Sequence, residues 1–156
     1  MLLLKFTEKL DEFKVPYCIV GGLAVALHGY VRVTMDIDIV IQISDRNFEL
    51  CEKALKELNF ESKIPVTAKE VSKFRKEYIE KRNLIAWSFY NKKNPFEVVD
   101  ILLTHDQKNF DIEKIEIYGK KVSLISKKDL IKMKLESGRP QDLIDIEQLK
   151  ENKPKK

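Results

Sequence analysis

The sequence predicts an α+β fold, a mixed α/β chain with one domain over residues 1–150 and a short basic tail, 151–156, that frays. Three observations carry it. Helical spacing opens the chain, short apolar strands alternate with helices through the first half, and the second half holds neighbouring strand pairs followed by two helices. The length of 156 residues suits one domain with a proper core.

Leu3, Phe6, Leu10 and Phe13 recur at helical spacing, so residues 2–14 read as a helix. "YCIVGG" is a short buried strand stopped by two glycines, and "LAVALHGY" an apolar helix ending near Gly29. "DIDIVIQI" is a strand. Ser44 or Asp45 caps the next helix, which carries Phe48, Leu50, Cys51, Leu55 and Leu58. Residues 60–82 are less legible, although Thr67 can open a helix there. "LIAWSFYN" and "FEVVDILLT" form a hairpin across "KKNP", and "IEKIEIYGKKVSLIS" turns at Tyr118-Gly119-Lys120. Ser126 caps a helix that breaks at Gly138, and Pro140 sits in the first turn of the last one.

Composition narrows the function classes. The chain is 44% hydrophobic and 35% charged, which is usual for a globular domain with a charged surface. No apolar run approaches the roughly 20 residues of a membrane span. The opening "MLLLKFTEKLDEFK" reads as an amphipathic helix rather than a signal peptide, so the expected compartment is the cytoplasm. Cys18 and Cys51 lack metal spacing and are read as free thiols. A net charge of +4 suits an anionic substrate but is far from a dedicated nucleic-acid binder.

The informative residues are acids. On a strand, Ile37, Ile39, Ile41 and Ile43 share one buried face, while Asp36, Asp38, Val40 and Gln42 share the other. The two carboxylates then lie about 7 Å apart at Cα. At a side-chain separation of about 5 Å they repel by roughly 3 kcal/mol. A shared proton, a lysine or arginine, or a hard divalent cation would relieve this. Gly21-Gly22, just before a helix, allows close backbone approach and offers free N–H groups to an anion. Asp100, the acid inside the apolar run "VVDILL", would join the other two if its strand lay beside theirs, and with metal the trio makes a phosphoryl-transfer site.

Strand, Gly-Gly, helix, Asp-x-Asp and a later acid together resemble the nucleotidyltransferase superfamily, the fold of DNA polymerase β and of the lincosamide and kanamycin nucleotidyltransferases. "GGLAVALHGYVRVTMDIDI" and "DLIKMKLESGRPQDLIDIEQL" are most similar to the small bacterial branch of abortive-infection type E toxins and minimal nucleotidyltransferases. The likeness covers roughly residues 17–150. It implies a mixed sheet with helices packed on one face and a C-terminal helical pair. It also implies transfer of a nucleoside monophosphate from NTP, such as ATP, to a hydroxyl on a tRNA, a protein or a small molecule, with pyrophosphate released. Asp36, Asp38 and Asp100 would hold Mg²⁺ or Mn²⁺, and Asp100 would help deprotonate the acceptor. Gly21 and Gly22 would shape the triphosphate turn. Where many members have serine, Gly22 offers only backbone N–H groups. The other reading is a non-catalytic or partner-dependent module of a toxin–antitoxin pair.

Supporting residues leave choices open. Arg32, in the loop with Thr34, meets phosphate or a carboxylate such as Asp36. Lys134 reaches the triphosphate, Lys128, Lys132 and Arg139 compete with it for that role, and most of these are surface charges. His28 reads as a hydrogen-bonded structural residue, Asp142 and Asp145 as partners of Lys or Arg, and Trp87, Phe89 and Tyr90 as packed on the sheet.

Overall fold

The computed structural model describes residues 1–151, so the rest of the basic tail lies outside the described residues. The chain opens with α1 (Leu2–Glu12), which buries Leu3, Leu4, Phe6 and Leu10. Then come β1 (Tyr17–Val20), buried throughout, and α2 (Gly21–Leu27). β2 (Ile37–Ile41) leads to α3 (Asp45–Glu57), whose N-terminus is capped by Ser44 accepting from the Asn47 amide. A three-residue strand, β3 (Phe60–Ser62), precedes α4 (Ala68–Lys73) and α5 (Arg75–Arg82). Thr67 and Glu70 exchange side-chain-to-backbone bonds of 3.0 and 3.2 Å, a reciprocal cap that fixes where α4 begins.

The hairpin of β4 (Ala86–Asn91) and β5 (Asn94–Leu102) is antiparallel, as is that of β6 (Ile112–Ile117) and β7 (Lys120–Ile125). Tyr118 and Gly119 both have positive φ between the latter strands, which matches the twist of a two-residue hairpin turn. α6 (Lys127–Ser137) starts at the Ser126 cap and ends at left-handed Gly138, and Pro140 opens α7 (Pro140–Lys150).

All seven strands form one mixed sheet in the order β3-β4-β5-β2-β1-β7-β6. β2 runs antiparallel to β1 and parallel to β5, and β1 runs parallel to β7. Register gives each face its chemistry. Ile19, Ile39, Ile101 and Trp87 form one cross-strand row, flanked by Ile37, Val99 and Phe89. α3 covers this face, and Phe48 meets Trp87 at 6.3 Å between ring centroids. Every residue of the Ile19 row is fully buried, as the alternation of isoleucines predicts. Among the described residues no helix is long and apolar enough to cross a membrane.

Three details differ from the sequence reading. β3 appears because Phe60 plugs the core and its neighbours pair with the edge of β4. The helix opened by Thr67 breaks at Phe74 into two. Asp36 precedes the strand proper, which begins at Ile37. Truncating the fully buried Phe48 to Ala should lower the unfolding free energy by about 3–5 kcal/mol. Urea titration followed through the single tryptophan, Trp87, checks this.

Candidate active site

On the other face of the sheet, a second cross-strand row reads Val20, Asp38, Asp100, Ser88. The helix and loop between β1 and β2 return the chain so that Asp38 sits beside the last residue of β1. The parallel pairing of β2 with β5 then aligns Asp38 with Asp100. Register therefore brings Asp100 to Asp38, whereas Asp36, exposed ahead of the strand, has no register partner. Ser88 donates its hydroxyl to Asp100 Oδ1 at 2.5 Å.

Gly21 is the joint against which Asp38 rests. Its φ is +68°, and a Cβ there would stand 2.2 Å from Asp38 Oδ2. Gly22 has a different neighbour. A Cβ there would approach the Arg32 guanidinium carbon to 3.1 Å and Thr34 Cβ to 3.3 Å. The structure thus brings Gly21 to the acids, and Gly22 to Arg32 and Thr34.

Electrostatics in this row are strained. Burial first, and then Asp100 and Asp36, push the Asp38 carboxyl up from 3.8 to about 7, while Arg139 opposes the shift. Asp36 is also raised, by burial and then by Asp100, with Lys63 opposing. Asp38 and Asp100 lie side by side in register and Asp100 disfavours the charged form of Asp38, so a shared proton or a cation would relieve both. Among the described residues no three His, Cys, Asp or Glu side chains are grouped closely enough to enclose a metal ion by themselves. The donors present are carboxylate oxygens facing a cleft. They fit a hard divalent cation whose remaining ligands are water and phosphate.

The cleft holds about 490 Å³ and is bounded by Gly21, Asp38, Asp100, Leu102, Met133 and Arg139. α6 and α7 close its far side, opposite the face that α3 covers. Lys134 borders the cleft, but its ammonium turns onto Asp145 at 2.8 Å and Asp142 at 3.5 Å. Arg32 also binds Asp145, Nε to Oδ1 at 3.1 Å, so its carboxylate partner is Asp145 and not Asp36. His28 is buried with Nε2 2.8 Å from the Ile125 carbonyl oxygen, the structural role expected of it. Trp87 and Phe89 lie in the core, and the Tyr90 hydroxyl donates to Glu61 at 3.1 Å.

Ser88 is the site residue that sequence reasoning did not single out, and Arg139 entered it only as a competitor of Lys134 for the triphosphate. An alternating strand gives a serine no special mark, and Arg139 reads as one basic surface residue among several. Its helix-breaking neighbours Gly138 and Pro140 were the available signal.

The fold is that of nucleotidyltransferases. The chain is similar to ANT(2'')-Ia solved in complex with adenylyl-2''-tobramycin, at 15% identity and a TM-score of 0.63, covering 95% of this chain and 85% of that one. It is similar to the lincosamide antibiotic adenylyltransferase LnuA, lincomycin-bound, at 17% identity and a TM-score of 0.63, covering 95% and 94%. A third likeness is to an antigenic nucleotidyltransferase-like protein from Paracoccidioides brasiliensis, at 21% identity and a TM-score of 0.61, covering 95% and 73%. No curated protein sequence matches the chain. Residues 2–150 match the family described as "Nucleotidyltransferase of unknown function (DUF6036)", and the protein belongs to that family.

Two outcomes follow from the geometry. Gly21→Ala should lose about 1–2 kcal/mol of stability from the left-handed backbone alone. It should also displace Asp38, so that urea denaturation and divalent-cation affinity both fall. The raised Asp38 carboxyl has a definite sign. The folded state holds a proton that the unfolded state releases, so this group's contribution to stability declines as pH rises from about 4 to about 7. Without divalent cations, Asp38→Asn should therefore be more stable than the wild type by about 1–3 kcal/mol at pH 8. The two should converge near pH 4, and paired urea titrations measure the difference.

Proposed function

We propose that this protein is a nucleotidyltransferase that moves a nucleoside monophosphate from a nucleoside triphosphate to an acceptor hydroxyl and releases pyrophosphate. The observation that carries this reading is the in-register pair Asp38 and Asp100, at the wall of a cleft and against the backbone of Gly21. Family membership supports it. The acceptor oxygen forms a bond to the α-phosphorus as the bond to the β-phosphate oxygen breaks. The hydroxyl proton passes to Asp100, which Ser88 orients. Mg²⁺ or Mn²⁺ held by Asp38 and Asp100, with Asp36 beside them, would neutralise charge on the transferring phosphate.

A cleft of about 490 Å³ is the size of a small-molecule site. That volume suits the nucleoside triphosphate itself, with a small hydroxylated acceptor at the mouth of the cleft. The lincomycin and adenylyl-tobramycin held by two structural relatives are in keeping with that choice.

The test is titration calorimetry with the four nucleoside triphosphates and Mg²⁺, followed by transfer of an α-labelled nucleotide to a panel of acceptors. Asp38→Asn and Asp100→Asn should each reduce transfer at least about 100-fold while the protein stays folded. Transfer at wild-type rates by both variants would sink the assignment. Nucleotide binding without transfer by the isolated chain would point to a missing partner, as in a toxin–antitoxin pair.

A further inference from the structure

α7 is inside out by the usual hydropathy rule. Asp142 and Asp145 are buried while Leu143 and Ile144, between them, are more than half exposed. The two aspartates are three residues apart and share one helical face. Lys134 of α6 stands between them, at 3.5 and 2.8 Å. One ammonium cannot neutralise two carboxylates, and each carboxylate takes an arginine as well. Asp142 accepts from Arg139 Nε at 2.9 Å and Nη2 at 3.3 Å, and from the Arg139 amide at 3.1 Å. Asp145 accepts from Arg32 Nε at 3.1 Å and from Gln141 at 3.0 Å.

Each guanidinium is thus held through Nε, and Arg32 also through Nη1, which donates to the Val33 carbonyl at 2.8 Å. Arg139 Nη1 makes no hydrogen bond among the described residues, and the Arg139 side chain is 73% exposed. Arg139 lines the same cleft as Asp38 and Asp100, and its charge is felt at Asp38. Arg32 lies over Gly22. A planar guanidinium fixed at one edge presents its remaining donors in a set direction, which suits phosphate oxygens. A cluster of five charges, three of them buried, is a poor way to glue two helices, since apolar packing would do that with less desolvation.

We infer that Arg139, positioned by Asp142, contacts the polyphosphate of the substrate, and that Arg32, positioned by Asp145 and lying over Gly22, makes a second contact. Lys134 is then a positioning residue, because it keeps both aspartates charged and in place. The inference rests on the proposed nucleotidyl transfer for its substrate, but it can be tested without any acceptor.

The intact protein is titrated calorimetrically with inorganic tripolyphosphate and Mg²⁺. Arg139→Ala, with its fold checked by circular dichroism because it leaves buried Asp142 with Lys134 alone, should weaken binding at least about tenfold. Arg139→Lys should recover part of the loss. Arg32→Ala should weaken binding by a similar factor. Lys56→Ala, which removes an exposed charge from α3, should stay within about twofold of the wild type and controls for net charge. Wild-type affinity in Arg139→Ala, or no binding by the wild type, overturns the clamp. If Asp38→Asn abolishes nucleotidyl transfer while Arg139→Ala binds tripolyphosphate normally, the transferase stands and the clamp falls. If tripolyphosphate binds through Arg139 but no acceptor is ever labelled, the clamp stands and the transferase reading falls.

Discussion

Asp38 and Asp100 stand side by side on parallel strands, and two carboxylates about 5 Å apart repel by roughly 3 kcal/mol at an effective dielectric of about 20. The sheet has to hold them there. It does so from its other side, where Ile19, Ile39, Ile101 and Trp87 are packed under α3 and leave no freedom to slip by one residue. A slip in register would turn the isoleucines outward and the acids inward. The same hydrophobic burial that stabilises the fold therefore enforces the electrostatic conflict. Gly21 leaves room for the Asp38 carboxyl, and Ser88 fixes Asp100.

The elements governed by hydrophobic alternation and capping were legible in the sequence. Ser44, Thr67, Ser126 and Pro140 start helices where their chemistry says they should, and the two hairpins fall where turn residues separate β-rich runs. The row of acids was also legible, because aspartate at alternating positions in an isoleucine strand has few explanations. β3 was not, since three residues carry almost no periodicity and only pairing with β4 defines them. The break at Phe74 was hidden because α5 buries nothing and so has no apolar face to read.

α7 shows a deeper limit. Hydropathy assigns Leu143 and Ile144 to the core and Asp142 and Asp145 to solvent, and the structure reverses this. The reversal becomes intelligible only when the partners are known, and these come from three places in the chain: Arg32, Lys134 and Arg139. Buried charges are read from a sequence only when both signs are local. Here the loop before β2 and the C-terminal helices are tied together by ion pairs spanning most of the chain. The helical pair is thereby part of the site's frame as well as a cover for it.

That long-range arrangement has a consequence for the order of synthesis. A chain emerging from the ribosome exposes β2, then β5, and the acids can come together once residue 100 is free. Arg139, the cation that eases Asp38, is made about 40 residues later, a delay of about 2 to 8 seconds at ordinary elongation rates. During that interval the nascent sheet must tolerate its acids by protonation or by solution cations. The aspartates of α7, which pair with Arg32, Lys134 and Arg139, are made last. The cations of the cleft wall, Lys134 and Arg139, are thus made after Asp38 and Asp100, so a chain that stopped before α6 would carry those two acids without these cations.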